Sequence, residues 1–183
     1  MRLNIEEWKE FYISDCEAHS GLFTIENCKC NCAGDLEDGS EINYIGAKKS
    51  ENGVMKKVVR EEKLVSKGNG ILFICDGEGS VGYTNYMNED FIGSTTTAIG
   101  YNDKLNPINA MFIVTILDME KNKFSYGRKY RAHINEIKVK LPATPKGEPD
   151  WEFMENYIKS INHKPIATKN SGGGVLICYS WKD

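Results

Sequence analysis

Ile71-Leu72-Phe73-Ile74-Cys75-Asp76-Gly77-Glu78-Gly79-Ser80-Val81-Gly82-Tyr83-Thr84-Asn85-Tyr86 decides the fold. An apolar run of strand length leads into a literal G-x-G-x-x-G, the spacing of a strand that turns into a helix holding a dinucleotide pyrophosphate on its first amides. That chemistry needs a helix to open at the glycines. The next residues are instead the β-prone Tyr83-Thr84-Asn85-Tyr86, and Asp76 and Glu78 would set two negative charges against the phosphates. The stretch therefore reads as strand, glycine-rich hairpin turn and strand, and the chain as β-rich rather than as a succession of βαβ units.

The same punctuation recurs on both sides. Ile42 to Ile45, Val54 to Val59, Ile71 to Cys75, Val81 to Tyr86 and Thr95 to Tyr101 are short β-branched or aromatic runs separated by glycine-containing turns, of which Asn52-Gly53 is the strongest hairpin signal. Turns about ten residues apart predict a compact, strongly bent β-structure. Two helices make the class α+β. Asn106 caps the first, with Pro107 at its first position, and Ile108, Met111, Phe112, Thr115 and Ile116 recur at helical spacing to form a face expected to pack on the sheet. Asp150 caps the second, which sets Trp151, Met154, Tyr157, Ile158 and Ile161 on one stripe, a docking surface as much as a core element. Lys164-Pro165 is expected to end it. Ser171 to Gly174 then reads as a flexible linker before the strand-like Val175 to Tyr179, and Trp181-Lys182-Asp183 echoes Trp8-Lys9-Glu10.

A length of 183 residues with a formal net charge of -3, 40% hydrophobic and 27% charged, fits one globular domain or one plus an appendage. It excludes wholesale disorder, and it excludes a chain that coats nucleic acid or anionic membrane over its whole surface. No stretch approaches the roughly 20 apolar residues that span a bilayer, and the first residues carry no secretory h-region, so a cytoplasmic location with six reduced cysteines is expected. The charge is segregated. Residues 1–43 carry three basic and ten acidic residues, whereas residues 44–70 carry seven basic against three acidic and residues 119–141 seven against two. Folded onto one face, the two basic segments would make a positive footprint for phosphates.

Motifs for chemistry are sparse. Cys28-Lys29-Cys30-Asn31-Cys32 has period-two spacing rather than the paired C-x2-C of structural zinc, with His19, His133 and His163 scattered elsewhere, so buried, inert cysteines and no metal are expected. No Ser/His/Asp or Cys/His constellation stands in a recognisable local context. What remains is recognition. Lys48, Lys49, Lys56 and Lys57 flank the turn at Asn52; Tyr83 and Thr84 come directly after the glycine-rich turn; Ser94, Thr95 and Thr96 offer hydroxyls; and Tyr126, Arg128, Lys129 and Arg131 interleave cations with aromatics.

At this point the chain resembles a known family. Trp8-Lys9-Glu10-Phe11, Tyr44-Ile45-Gly46-Ala47 with Asn52-Gly53-Val54, Lys67 to Gly70 through Gly79 to Tyr83, Phe91-Ile92-Gly93-Ser94, Tyr126-Gly127-Arg128-Lys129, Ile137 to Pro142 and Pro149 to Lys159 are similar, in order and approximate spacing, to a target recognition domain of the specificity subunits of type I, or type IIB-like, restriction-modification systems. The resemblance covers about residues 5–161 and implies a recognition domain over 1–148, the start of a spacer helix over 149–162, and a linker with the possible start of a second repeat over 163–183. It implies a non-catalytic subunit that reads one half of a split double-stranded DNA target. Its partners would be a methyltransferase subunit and a restriction subunit, with S-adenosylmethionine and Mg held there and no cofactor in this chain. On that reading the stripe from Trp151 to Ile161 is a subunit contact. Where family members commonly carry two recognition domains, this chain has one, so it is expected to be a half-subunit acting as a homodimer or part of a longer subunit. A protein-interaction module with a basic face is the second reading, and a small nucleotide-binding enzyme the third.

Overall fold

The computed structural model describes residues 3–77, 79–121, 130–161, 166–169 and 175–178. Its strands are β1 (Lys9–Tyr12), β2 (Thr24–Asn27), β3 (Asp38–Ile45), β4 (Val54–Val58), β5 (Val65–Ser66), β6 (Gly70–Ile74), β7 (Thr84–Met87), β8 (Phe91–Gly93), β9 (Thr97–Tyr101), β10 (Lys138–Leu141), β11 (Ile166–Lys169) and β12 (Val175–Cys178). Its helices are α1 (Pro107–Glu120), α2 (Tyr130–His133) and α3 (Trp151–Ser160). None among the described residues is long and apolar enough to cross a membrane.

The architecture is α+β. One four-stranded sheet, in the order β2-β9-β6-β7, is antiparallel throughout. A second, in the order β4-β3-β8-β5, contains one parallel pairing, β3 with β8. β1 pairs with β10, and β11 with β12, both antiparallel. Alternation along the strands builds three layers of core. Leu72 and Ile99 of the first sheet meet Ile45 and Phe91 of the second. Ile71, Phe73 and Ala98 point the other way, onto α1, α3 and the β1-β10 ribbon. Ile42, Tyr44, Val58 and Ile92 fill the outer face of the second sheet. The central strand β6 is buried at every residue, which is why its sequence is an unbroken apolar run. β9 crosses this core through Gly100, where a Cβ would lie 2.9 Å from both Phe23 Cβ and Phe73 Cε2, so no larger residue fits.

The decisive glycine stretch is a hairpin turn. β6 and β7 pair with Phe73 opposite Thr84, and the connection closes with Gly82 N–H donating to Ile74 O at 3.0 Å and Ile74 N–H to Tyr83 O at 3.0 Å. Gly77, Gly79 and Gly82 take positive φ there, so the glycines serve the turn's backbone. Asn52-Gly53 joins β3 to β4, in a longer loop that places Glu51, Asn52 and Gly53 all at positive φ and closes with Gly46 N–H to Gly53 O at 2.9 Å. Two expected strands are shorter at their starts: residues 81–82 belong to the turn before β7, and Ser94 to Thr96 form a corner before β9.

Both helix caps occur where expected. Asn106 accepts from Ile108 N–H at 2.9 Å and Asn109 N–H at 3.0 Å, while the Asn109 side chain accepts from Asn106 N–H at 2.9 Å, a complete capping box. Asp150 accepts from Phe153 N–H at 2.9 Å. The faces differ from expectation. Of the five residues assigned to the α1 stripe only Phe112 is buried; Asn109, Ala110, Ile113 and Leu117 complete the buried face, because a helix apolar around most of its circumference gives periodicity no contrast to work on. α3 ends at Ser160, before Pro165 comes into play, and the Ile161 N–H is bonded to Tyr157 O and Ile158 O.

Candidate nucleic-acid interface

The strand registers bring four connections to one end of the two sheets. Ile45 lies opposite Val54 and Gly93, Ile74 opposite Thr97, Phe73 opposite Thr84, and Asn27 opposite Ala98. Residues 28–31, 46–53, 75–77, 79–83 and 94–96 therefore share a rim. They are tied to one another as well. Cys30 N–H donates to Gly93 O at 2.9 Å, Thr95 N–H to Cys30 O at 2.9 Å, and Cys28 N–H to Thr97 O at 3.2 Å.

Two cations lock the rim from opposite sides. Arg131, just inside α2, donates to Thr95 O at 2.6 Å, Thr97 O at 3.3 Å and the Asn27 side-chain oxygen, and its Nε lies 4.0 Å from the Asp76 carboxylate. It joins three segments that are remote in sequence. Lys49 donates to Thr84 O at 2.7 Å and pairs with Asp118 near the end of α1, whose carboxylate accepts from Thr84 N–H at 2.9 Å and Thr84 Oγ1 at 3.0 Å. The Tyr83 ring carries both neighbouring ammonium groups, Lys49 at 5.2 Å and Lys121 at 4.0 Å from its centroid, and its hydroxyl accepts from Lys121. The two basic segments thus converge at Tyr83.

The expected site residues divide sharply on this geometry. Lys48, Lys49, Asn52, Tyr83, Thr84, Ser94, Thr95, Thr96 and Arg131 come together at the rim, whereas Lys56 and Lys57 lie along β4 away from it. Thr84 is fully buried and holds α1, and Ser94 is 9% exposed and accepts from Thr96 Oγ1 at 2.9 Å. Most of the positive charge of residues 44–70 is matched: Lys48 with Glu51, Lys56 with Asp38 at 2.7 Å, Lys63 with Glu61 at 2.6 Å, and Arg60 and Lys67 with Asp90 at 2.9 and 3.2 Å. Lys57 is exposed and has no ion-pair partner among the described residues. Tyr126, Arg128 and Lys129 lie outside the described residues.

The apolar stripe of α3 turns largely inward. Trp151 and Met154 are 8% and 0% exposed, and Trp151 meets the Phe23 ring edge-on at 6.4 Å. Tyr157 packs on Phe112 at 5.6 Å, and Tyr157, Ile158 and Ile161 are half-buried. Trp151 and Met154, expected at a subunit contact, are instead part of the domain's own core.

Cys28, Cys30 and Cys75 are buried free thiols, and burial raises all three, Cys75 to about 12. Cys32 departs from the expected burial and is exposed. Cys16 Sγ lies 3.3 Å from His19 Nε2, at the end of the sheets away from the rim, a contact that no motif in the sequence announces. No group of three potential metal ligands forms among the described residues. Sequence reasoning also passed over Asn31, Lys121 and Asp118. Lys121 was legible as the first cation of the second basic segment; Asn31 was hidden inside a motif read for its cysteines.

Chemically, the rim offers hydroxyls, carboxamides, an aromatic face and ammonium groups, the set that contacts phosphates and base edges. The family model described as the type I restriction modification DNA specificity domain matches residues 5–168. The specificity subunit S.BcgI of a type II restriction enzyme from Heyndrickxia coagulans is 24% identical over 160 residues, which are 87% of this chain and 45% of that protein. Two solved structures share the fold. The S subunit of a type I restriction-modification system from M. genitalium superposes with a TM-score of 0.53 at 15% identity over 75% of this chain and 35% of that one. The HsdS subunit from Thermoanaerobacter tengcongensis gives 0.57 at 12% over 85% and 37%. The chain thus spans less than half the length of these relatives.

Proposed function

The chain belongs to the type I restriction modification DNA specificity domain family, and from that premise we propose that it is a target recognition domain whose rim reads double-stranded DNA. It recognises one half of a bipartite target. A second recognition domain, on the same polypeptide or on a second copy of this chain, reads the other half. The methyltransferase and restriction subunits of a cytoplasmic complex hold S-adenosylmethionine and Mg and carry out the chemistry.

The observation that carries this reading is the convergence, in a domain of this family, of four loops from both sheets on one end furnished with donors and acceptors. The matched lysines of residues 44–70 sharpen it. A continuous basic face for an acidic protein partner loses support, because Glu51, Asp118 and Asp38 offset the cations that would form it. Phosphate contacts then fall to a few cations, Lys121 among them, and selectivity to the uncharged groups of the rim.

Selection from a pool of random-sequence duplexes tests the reading. The chain is expected to enrich one short asymmetric sequence, with modest salt dependence. A pool that emerges unchanged rejects sequence-specific DNA recognition.

A further inference from the structure

We propose that Asn31 reads one adenine in the major groove and that Thr95 and Arg131 hold it in position for this; the inference rests on the DNA reading above and names the group that does the discriminating. Asn31 is exposed at the rim, and its Oδ1 accepts from Thr95 Oγ1 at 3.3 Å. That bond tethers the carboxamide by one side of its oxygen. Both Nδ2 hydrogens and the second Oδ1 lone pair remain without a partner among the described residues. A donor beside an acceptor in one plane complements adenine, whose N7 accepts and whose N6 amino group donates in the major groove.

The backbone on which it is mounted is tied to the neighbouring corner. Cys30, directly before Asn31, is bridged to Ser94, with its N–H on Gly93 O and its C=O accepting from Thr95 N–H, each at 2.9 Å. Arg131 then caps Thr95 O at 2.6 Å, so Thr95 is held through its N–H, its C=O and its hydroxyl. Such preorganisation lowers the ordering cost of a specific contact. Asn27, a rim carboxamide at the end of β2, already has its oxygen occupied by Arg131. Arg131 is accordingly a positioning residue, directed at backbone carbonyls.

The test is a duplex selection on wild-type protein, Asn31→Ala, Asn31→Asp and Thr95→Val. Wild type should enrich a sequence that contains an adenine to which Asn31→Ala becomes indifferent, with affinity for the wild-type sequence falling roughly 5- to 150-fold. All other positions should stay fixed, and the dependence on salt should be unchanged, since the amide carries no charge. Asn31→Asp should favour cytosine at the same position, because a carboxylate accepts from its N4 amino group. Thr95→Val should blur that position alone, and less completely. An enriched sequence identical in Asn31→Ala and wild type overturns the assignment, as does a uniform loss across all duplexes. If wild type itself enriches nothing, the DNA reading fails along with it, an outcome distinct from a wild-type sequence that Asn31→Ala leaves untouched.

Discussion

The two ends of the paired sheets solve the same problem, closing the loops between strands, with a different balance of means. At the end away from the rim, charges satisfy one another: Asp90 accepts from Gly68 N–H at 3.0 Å and pairs with Arg60 and Lys67, while Arg60 also pairs with Glu62 at 2.6 Å. These partners, the Arg60 guanidinium first, hold the Asp90 carboxyl down at about 2. The rim has ion pairs too, Lys48 with Glu51 and Lys49 with Asp118, but there Arg131 turns its donors mainly onto carbonyl oxygens, and Thr95, Thr96 and Asn31 are left partly or fully exposed. One end is closed for stability, and the other is braced from behind so that its outer surface stays open for a ligand.

Substitutions can break this contrast, and the core beneath both ends sets the scale. Met154→Ala should cost about 2–5 kcal/mol in denaturant unfolding, since its side chain is fully buried in the core that α3 shares with α1 and the first sheet. A change below ~1 kcal/mol would return the α3 stripe to the role of a docking surface. Arg131→Ala should cost about 1–3 kcal/mol by leaving the Thr95 carbonyl without its donor, the Thr97 carbonyl keeping its bond from Cys28 N–H, and it should weaken DNA binding at least tenfold through the displaced corner. Asp90→Asn should cost only about 1 kcal/mol, because the pairs are partly solvated and the Asn oxygen still accepts from Gly68 N–H, and DNA binding should be unchanged. Lys57→Gln should alter stability by less than ~0.5 kcal/mol and leave the slope of log K against log salt unchanged, because Lys57 lies along β4 away from the rim; a slope smaller by about 0.9 would extend the interface to that strand.

The Asp90 pairing also has a sign in pH. Its folded-state value lies below the ordinary 3.8, so its contribution is complete above about pH 4 and is lost as pH falls toward 2. Wild type should therefore lose more stability than Asp90→Asn between pH 4 and pH 2, a difference that parallel thermal melts will show.

Local chemistry was legible in the sequence and long-range pairing was not. The caps at Asn106 and Asp150, the turn at Asn52-Gly53 and the hairpin reading of the glycine stretch depend on neighbours a few residues apart, and each is present. β10 could also have been found, since Lys138-Val139-Lys140-Leu141 alternates and buries Val139 and Leu141. The parallel pairing of β3 with β8 leaves no trace in either strand alone. The basic segments misled for the same reason: Lys56 and Lys49 look free along the chain until folding brings up Asp38 and, 69 residues away, Asp118. Clustered lysines announce charge, but their counter-ions are set by topology.

Amide hydrogen exchange on the chain with and without a duplex recovered by selection tests the central claim most directly. Slowed exchange is predicted in residues 28–31, 46–53, 79–83 and 94–97, with no change in residues 60–69 and 88–90. Protection at the Arg60–Asp90 end, or along α3 with none at the rim, would contradict it.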